Sequence, residues 1–340
     1  MSGEKIRLGI IGANAKYGWS MRAHLPALLA LPEYELSAVC TSSAETAAES
    51  AKAYGAKAAF HDFHEMVAHP DIDVVSVSVR VPLHHDMVMA ALAAGKHVFC
   101  EKPLDLTHAA AAASLAACVR AGVALGIGHE RRFEPAMVEI KRLLDAGELG
   151  TVMHLEASFN HDKLVDLPPD NWRASATEAP AASLTATGVH MTDAFLHFHG
   201  PIEMVYALTG NWAANFESGD LLSVQLRFKD GATGYINSIL STPLFSYFRV
   251  FGTKGWLQVS DSAHPSEPGI STMTICTREG ELQTREFQSI DTVRANLEAF
   301  AIAAGGGAPY PFSDAELTGN IAVFEAICAS VESGAPEPVG

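Results

Sequence analysis

Through residue 128 the chain alternates short apolar runs with helical patterns, and this alternation limits the fold more than any other feature. The runs lie at 6–11, 34–40, 57–60, 74–79, 98–100 and 123–127. Helical patterns fill 21–31, 44–54, 63–68, a stretch ending at Gly95, and 107–121. Parallel strands need a crossover between them, which a helix supplies, and strands buried on both faces read as continuous apolar runs. The expectation for 1–128 is a doubly wound α/β domain with a parallel sheet.

Its opening unit is strand, turn, helix, strand, the start of a dinucleotide-binding Rossmann fold. The turn reads Gly12-Ala13-Asn14-Ala15-Lys16-Tyr17-Gly18. Compared with the usual glycine fingerprint, the last glycine is one position late and Asn14 holds the middle position. Asn tolerates unusual dihedrals, and Ala13 leaves room for close backbone approach. Gly12, Ala13, Asn14, Tyr17 and Gly18 are the candidate pyrophosphate contacts. After the second strand come Thr41-Ser42-Ser43, where an NAD-specific site has Asp or Glu. No carboxylate there repels a 2′-phosphate, and no arginine is adjacent. The expected cofactor is NADP or NAD, with a lean to NADP. Ser43 also reads as the N-cap of the 44–54 helix.

Gly95-Lys96-His97-Val98-Phe99-Cys100-Glu101-Lys102-Pro103-Leu104 reads as a buried strand that ends in a charged pair and a proline. Pro103 cannot extend the ladder and permits a cis peptide bond. A lysine just past the carboxyl end of a strand stands where α/β sheets bind ligands, so Lys102 is the first catalytic candidate.

Beyond 128 the pattern changes. A helix at 134–146 precedes alternating runs at 152–159, 204–208, 221–228, 233–240, 248–251, 255–259 and 273–277, with turn signals such as Lys229-Asp230-Gly231 between them. The expectation for 129–340 is a second α+β domain with a large open, mainly antiparallel sheet, closed by helices at 292–304 and 314–333. A helix at 189–199 carries His190 and Asp193, three apart on one face. Histidine is the usual proton carrier near neutral pH, so His190 is the second catalytic candidate. His197 and His199 point apart on that helix, and no H-E-x-x-H or C-x-x-C accompanies them, so no metal is expected.

Length and composition fit this division: 340 residues suggest two domains, and 48% hydrophobic with 18% charged residues is the balance of a packed globular chain. A net charge of −16 repels phosphate backbones and argues against nucleic acid as a partner. Cys40, Cys100, Cys118, Cys276 and Cys328 form no metal or disulfide spacing and suggest free thiols in a reducing compartment. No apolar leader precedes the first strand, and the Ala-rich 109–125 run is broken by Arg120 and Gly122. A cytoplasmic location is expected, with no membrane contact.

These marks together resemble the glucose-fructose oxidoreductase, inositol dehydrogenase and MocA (Gfo/Idh/MocA) family. The resemblance rests on the nucleotide-binding unit, the 95–104 stretch and Gly188-Val189-His190-Met191-Thr192-Asp193. Arg131-Arg132-Phe133, Asn171-Trp172-Arg173 and Phe251-Gly252-Thr253-Lys254-Gly255 are lesser marks. Within the family, the 12–19 loop with Trp19, then His24-Leu25-Pro26-Ala27-Leu28, and Leu184-Thr185-Ala186-Thr187 are similar to the branch of the fungal galactose-regulon repressor. That repressor lacks the family's catalytic lysine, whereas this chain has Lys102.

The resemblance implies an NAD(P)-dependent oxidoreductase acting on a sugar or related cyclic alcohol. Lys102 stabilises the substrate oxygen and His190 carries the proton. Cofactor contacts are implied at Val81, His85, Glu101, Lys102, Arg131, Trp172 and Arg173, beside the glycine loop and Thr41, Ser42 and Ser43. Family dehydrogenases commonly have Asp where this chain has Ala186, and Thr185 or Thr187 offers a hydroxyl in its stead. The alternatives are a dinucleotide-binding regulator without turnover, and an NAD-dependent lyase or glycosidase with transient oxidation. The open sheet suggests a homodimer or homotetramer.

Overall fold

In the computed structural model, which describes residues 5–340 apart from 279 and 281, the first strands and helices alternate as β1 (Ile6–Ile11), α1 (Leu25–Leu29), β2 (Tyr34–Cys40), α2 (Ala44–Tyr54), β3 (Ala58–Phe60), α3 (Phe63–Val67), β4 (Val74–Val77), α4 (His84–Ala93), β5 (His97–Cys100), α5 (His108–Ala121) and β6 (Leu125–Ile127). The strands form a six-stranded sheet in the order β3-β2-β1-β4-β5-β6, and every pair is parallel. The order reverses between β1 and β4, so the crevice for a ligand lies outside the carboxyl ends of these strands. Ser43 caps α2 by accepting from the Thr46 N–H, and Thr107 caps α5 by accepting from the Ala110 N–H.

One helix departs from expectation. In place of a regular helix over 21–31, a π-helical turn spans Ser20–His24 and α1 follows it. The cause is local: Pro26 has no N–H to donate, and the Leu25 N–H reaches back five residues to the Ser20 carbonyl.

The second sheet is built after α6 (Pro135–Asp145) from β7 (Val152–Asn160), which is followed by α7 (Val189–Phe198), and from β8 (Ile202–Gly210), β9 (Leu221–Phe228), β10 (Thr233–Ile239), β11 (Phe245–Gly252), β12 (Gly255–Asp261), β13 (Ile270–Thr277), β14 (Leu282–Gln288) and β15 (Glu337–Pro338). Its nine strands run β14-β13-β12-β11-β7-β10-β9-β8-β15. All pairs are antiparallel except β10 with β7, which are parallel. β10 and β11 are consecutive in the chain yet flank β7 on opposite sides. Apart from the one parallel pair the sheet is antiparallel, as the alternating runs led one to expect. β14 was not foreseen; its sequence, with Arg285 and Glu286, is that of a polar edge strand.

The chain divides into two units, Met1–Glu130 with Asp291–Leu317, and Arg131–Ile290 with Thr318–Gly340. Nothing in the sequence marks 291–317 as a segment that returns to the first unit. The reason lies in the apolar face of α8 (Thr292–Ala304): Val293, Leu297, Phe300 and Ala301 join the core formed by Leu8, Ile10, Leu25, Leu28 and Phe99. Leu297 and Phe300 are fully buried, each adding about 1.5–3 kcal/mol of burial. Gly126 makes room, since a Cβ there would meet Phe300 at 2.6 Å. Tyr34 donates to the Leu297 carbonyl at 2.7 Å and Asn296 to the Ile127 carbonyl at 2.8 Å. The last helix is α9 (Asp314–Ser333). Among the described residues no helix is long and apolar enough to cross a membrane.

Candidate active site

In the first unit the segments after β1, β2, β4 and β5 carry the expected cofactor residues other than Arg131, Trp172 and Arg173, which belong to the second unit. Gly12 has φ +90°, and a Cβ on it would strike the Ser78 carbonyl oxygen at 2.2 Å. The loop after β1 thus lies directly against the loop after β4, at the point where the strand order reverses, and only glycine fits there. The loop is organised by its own polar groups. Ser20 Oγ donates to the Gly12 carbonyl at 2.7 Å, the Lys16 N–H donates to Asn14 Oδ1 at 2.8 Å, and Tyr54 donates to the Asn14 carbonyl at 3.2 Å. Ala13 is buried, Tyr17 is exposed, and Gly18 has φ +108°. At the end of β2, Thr41 Oγ1 donates to the Ser43 carbonyl at 3.1 Å and lies 2.7 Å from Thr46 Oγ1, while Ser42 is exposed. These features suit a dinucleotide: a glycine that permits close approach, a turn rich in backbone N–H groups, and hydroxyls with no carboxylate at 41–43.

Lys102 follows β5 directly, and the Lys102–Pro103 peptide bond is cis. Two buried histidines flank it. On one side, His24 Nε2 lies 2.5 Å from Glu101 Oε1, and His24 Nδ1 lies 3.2 Å from Ser76 Oγ. The Lys102 backbone N–H donates to the other oxygen of Glu101 at 3.2 Å. Burial works against charge on Glu101, but the hydrogen bond and charge of His24, with Lys102, hold its carboxyl below the usual range. An ionised carboxylate only accepts, so His24 donates through Nε2, while its Nδ1 lies against the Ser76 hydroxyl. On the other side, His84 Nδ1 lies 2.9 Å from the Pro103 carbonyl and Nε2 lies 3.2 Å from the Val79 carbonyl. His84 is wholly buried, and burial pulls it below the usual imidazole range, so it is neutral with one N–H to give. It spans the loops after β4 and β5. His85 Nδ1 lies 3.3 Å from Asp105 Oδ2, and Val81 is buried in the turn before α4.

The second unit holds His190 near the start of α7. The approach to that helix is strained: Ala181 and Ala182 both have φ 55°, the left-handed region, and a π-helical turn over Leu184–Gly188 follows. This segment is pinned to β10. Ser183 Oγ donates to the Ser238 carbonyl at 3.0 Å, and Thr187 Oγ1 bonds to Ser238 Oγ and to the Ser183 carbonyl. The Thr187 hydroxyl is thus engaged with Ser183 and β10. Ala186 packs against an apolar cluster of Ala174, Ala214, Phe216 and Leu240.

Asp193 shares a helix face with His190, but its carboxylate is taken by Arg132, whose Nε and Nη2 donate at 2.8 and 2.6 Å. Arg131, expected as a cofactor contact, is buried in its own unit. It donates to Glu134 at 2.7 Å and to Asp261 at 3.1 Å, and its guanidinium lies 4.6 Å from the Phe159 ring centre. Burial pushes the Glu134 carboxyl up, against the pull of Arg131. Beside it, His161 and His264 rings lie 5.4 Å apart, and burial with the charges of Lys163, His161 and Arg131 pulls His264 down to about 3. Arg173 lies over Trp172 at 4.3 Å. Among the described residues no group of His, Cys, Asp or Glu is arranged to hold a metal ion.

The sequence marks Lys102, Glu101 and His190 as site residues, carries His24 and Arg132 only within quoted stretches without a role, and gives Ser76 and His84 no place in the site. The available signal for His24 was a polar residue set among Leu25 and Leu28 on the buried face of its helix.

Residues 6–129 match the family model described as an oxidoreductase family with an NAD-binding Rossmann fold, and residues 137–258 match the GFO/IDH/MocA C-terminal domain. The D-xylose 1-dehydrogenase (NADP(+)) 2 of Haloferax volcanii is 30% identical over 327 residues, covering 96% of this chain and 98% of the relative. The 1,5-anhydro-D-fructose reductase of Ensifer adhaerens is 31% identical over 277 residues, 79% of each chain. Among solved structures, the aldose-aldose oxidoreductase of Caulobacter crescentus, complexed with glycerol, matches with a TM-score of 0.85 at 26% identity, covering 98% of this chain and 100% of that one.

Proposed function

The chain belongs to the Gfo/Idh/MocA oxidoreductase family, and from that premise we propose that it is an NAD(P)-dependent oxidoreductase acting on the CH–OH group of a sugar or related cyclic alcohol. The observation that carries this is Lys102 at the carboxyl end of β5, next to an ionised Glu101, in a sheet whose β1–β4 crevice has the glycine cradle for a dinucleotide. The nicotinamide, when bound, accepts or supplies the hydride. The Lys102 ammonium donates hydrogen bonds to the substrate oxygen and stabilises negative charge as it develops there. His190 is assigned the proton transfer, its imidazole taking a proton on oxidation and returning it on reduction. Asp193 has no part in the proton transfer, since Arg132 holds it.

Gly12, Ala13, Asn14 and Gly18 are assigned to the pyrophosphate, and Thr41, Ser42 and Ser43 to the adenosine ribose, with NADP preferred over NAD. The sugar assignment draws on the relatives named above, both of which act on sugars by their names. The outer face of the β7–β14 sheet, where Arg249 lies 4.4 Å over Tyr247 and bonds to Glu156, is assigned to pairing with a second copy. The test is to titrate NADP and NAD by fluorescence, then screen pentoses, hexoses and anhydrosugars for reduced nicotinamide absorbance. Binding with turnover supports the assignment. Binding without turnover on any sugar favours a dinucleotide-sensing regulator.

A further inference from the structure

The His24 side chain joins two loops that the function above uses separately. It ends the π-helical turn that starts at Ser20, whose hydroxyl closes onto the Gly12 carbonyl of the dinucleotide loop. Its ring reaches the Glu101 carboxylate, which receives the Lys102 N–H on its second oxygen. Ser76 of β4 supports the ring from behind, and Phe99 meets it edge-on at 5.7 Å. The ring is wholly buried and the carboxylate nearly so. Gly128 leaves the space that the carboxylate fills, since a Cβ there would lie 2.6 Å from Glu101 Oε2.

We propose that His24 is a positioning residue for Lys102: by donating Nε2–H to Glu101 it keeps that carboxylate ionised and fixed, and so sets both the backbone and the charge against which the Lys102 ammonium is held. This rests on the assignment of Lys102 made above and extends it to a residue on another element. A buried carboxylate without a donor takes up a proton more readily, because burial disfavours its charge. The charged and titratable groups facing Glu101 are His24 from the loop helix, Lys102, Asp105 and Cys100 from β5 and its loop, and His84 from α4. Among the described residues, His24 is the one imidazole in hydrogen-bond contact with the carboxylate.

The test compares His24→Leu, His24→Gln and Lys102→Met with the native chain. Glutamine keeps a side-chain N–H near the position of Nε2; leucine does not. With the sugar that the screen returns, His24→Leu should lower kcat about a hundredfold through misplacement of the lysine, with KM and NADP affinity nearly unchanged. Its acid limb in the kcat–pH profile should move up by about one unit, and His24→Gln should recover most of both losses. A second readout needs neither cofactor nor turnover: the ¹³C resonance of reductively dimethylated Lys102 in the free protein, assigned by its absence in Lys102→Met. It should show an acid-range inflection from Glu101, moved upward in His24→Leu and less so in His24→Gln. If the inflection in His24→Leu lies at its native position, the proposal is overturned; should the Leu variant not fold, His24→Ala, which also lacks the donor, takes its place under the same criterion. If Lys102→Met is inactive while His24→Leu keeps the native kcat and pH profile, the positioning role alone fails. If Lys102→Met keeps native turnover, the assignment of Lys102 fails and this proposal with it.

Discussion

Asp193 accepts two hydrogen bonds from Arg132, at 2.8 and 2.6 Å, and both side chains are almost wholly buried. The pair ties α7, which carries His190, to the segment just before α6. Removing Arg132 takes two charge-assisted hydrogen bonds from a buried carboxylate. Arg132→Met should therefore cost about 3–5 kcal/mol, read from urea denaturation. Replacing both, as Arg132→Met with Asp193→Leu, should recover most of that loss. A single variant as stable as the native chain would show that the pair is not what holds α7.

Gly12 cannot take a side chain without moving the loop after β4, because the Ser78 carbonyl stands in the way and the φ of +90° is unfavourable for any residue with a Cβ. The backbone strain alone is about 1–3 kcal/mol, so Gly12→Ala should weaken NADP binding by about tenfold or more. Fluorescence titration measures it, and unchanged affinity would place the dinucleotide elsewhere.

Two histidines make the fold sensitive to mild acid. Burial holds His84 below the usual imidazole range and is the main cause that pulls His264 down to about 3. Unfolded imidazoles titrate near about 6.5. Above that pH neither state carries the extra proton and the full stability is present. As the pH falls through that value, the unfolded chain binds protons that the folded chain refuses, and stability declines. The urea midpoint should drop between about pH 7.5 and about pH 5, and His264→Asn should make the drop shallower. A flat native profile would contradict this.

The sequence made the first unit legible because buried parallel strands such as Val74–Val77 and His97–Cys100 stand out as short apolar runs bounded by turns and helices. The second sheet was legible as strands but not as an order. Alternation in β10 reads the same whether its neighbour runs parallel or antiparallel. Its place beside β7 is fixed by the long excursion through α7, β8 and β9 that brings the chain back. The return of α8 to the first unit was hidden for a similar reason: an apolar face with Leu297 and Phe300 declares that it is buried, but not against which core. At the site, Lys102 and Glu101 were visible because strand end, charge and proline are adjacent in sequence. The His24–Glu101 and Arg132–Asp193 contacts join residues separated by 77 and 61 positions, and no local pattern announces either.

The central claim is that Lys102 serves the chemistry and not the binding of the dinucleotide. The most direct measurement is the turnover of Lys102→Met on the sugar returned by the screen, with NADP titrated into the same preparation. The account predicts NADP affinity near the native value and turnover lower by about a hundredfold to a thousandfold. Native turnover in that variant would contradict it.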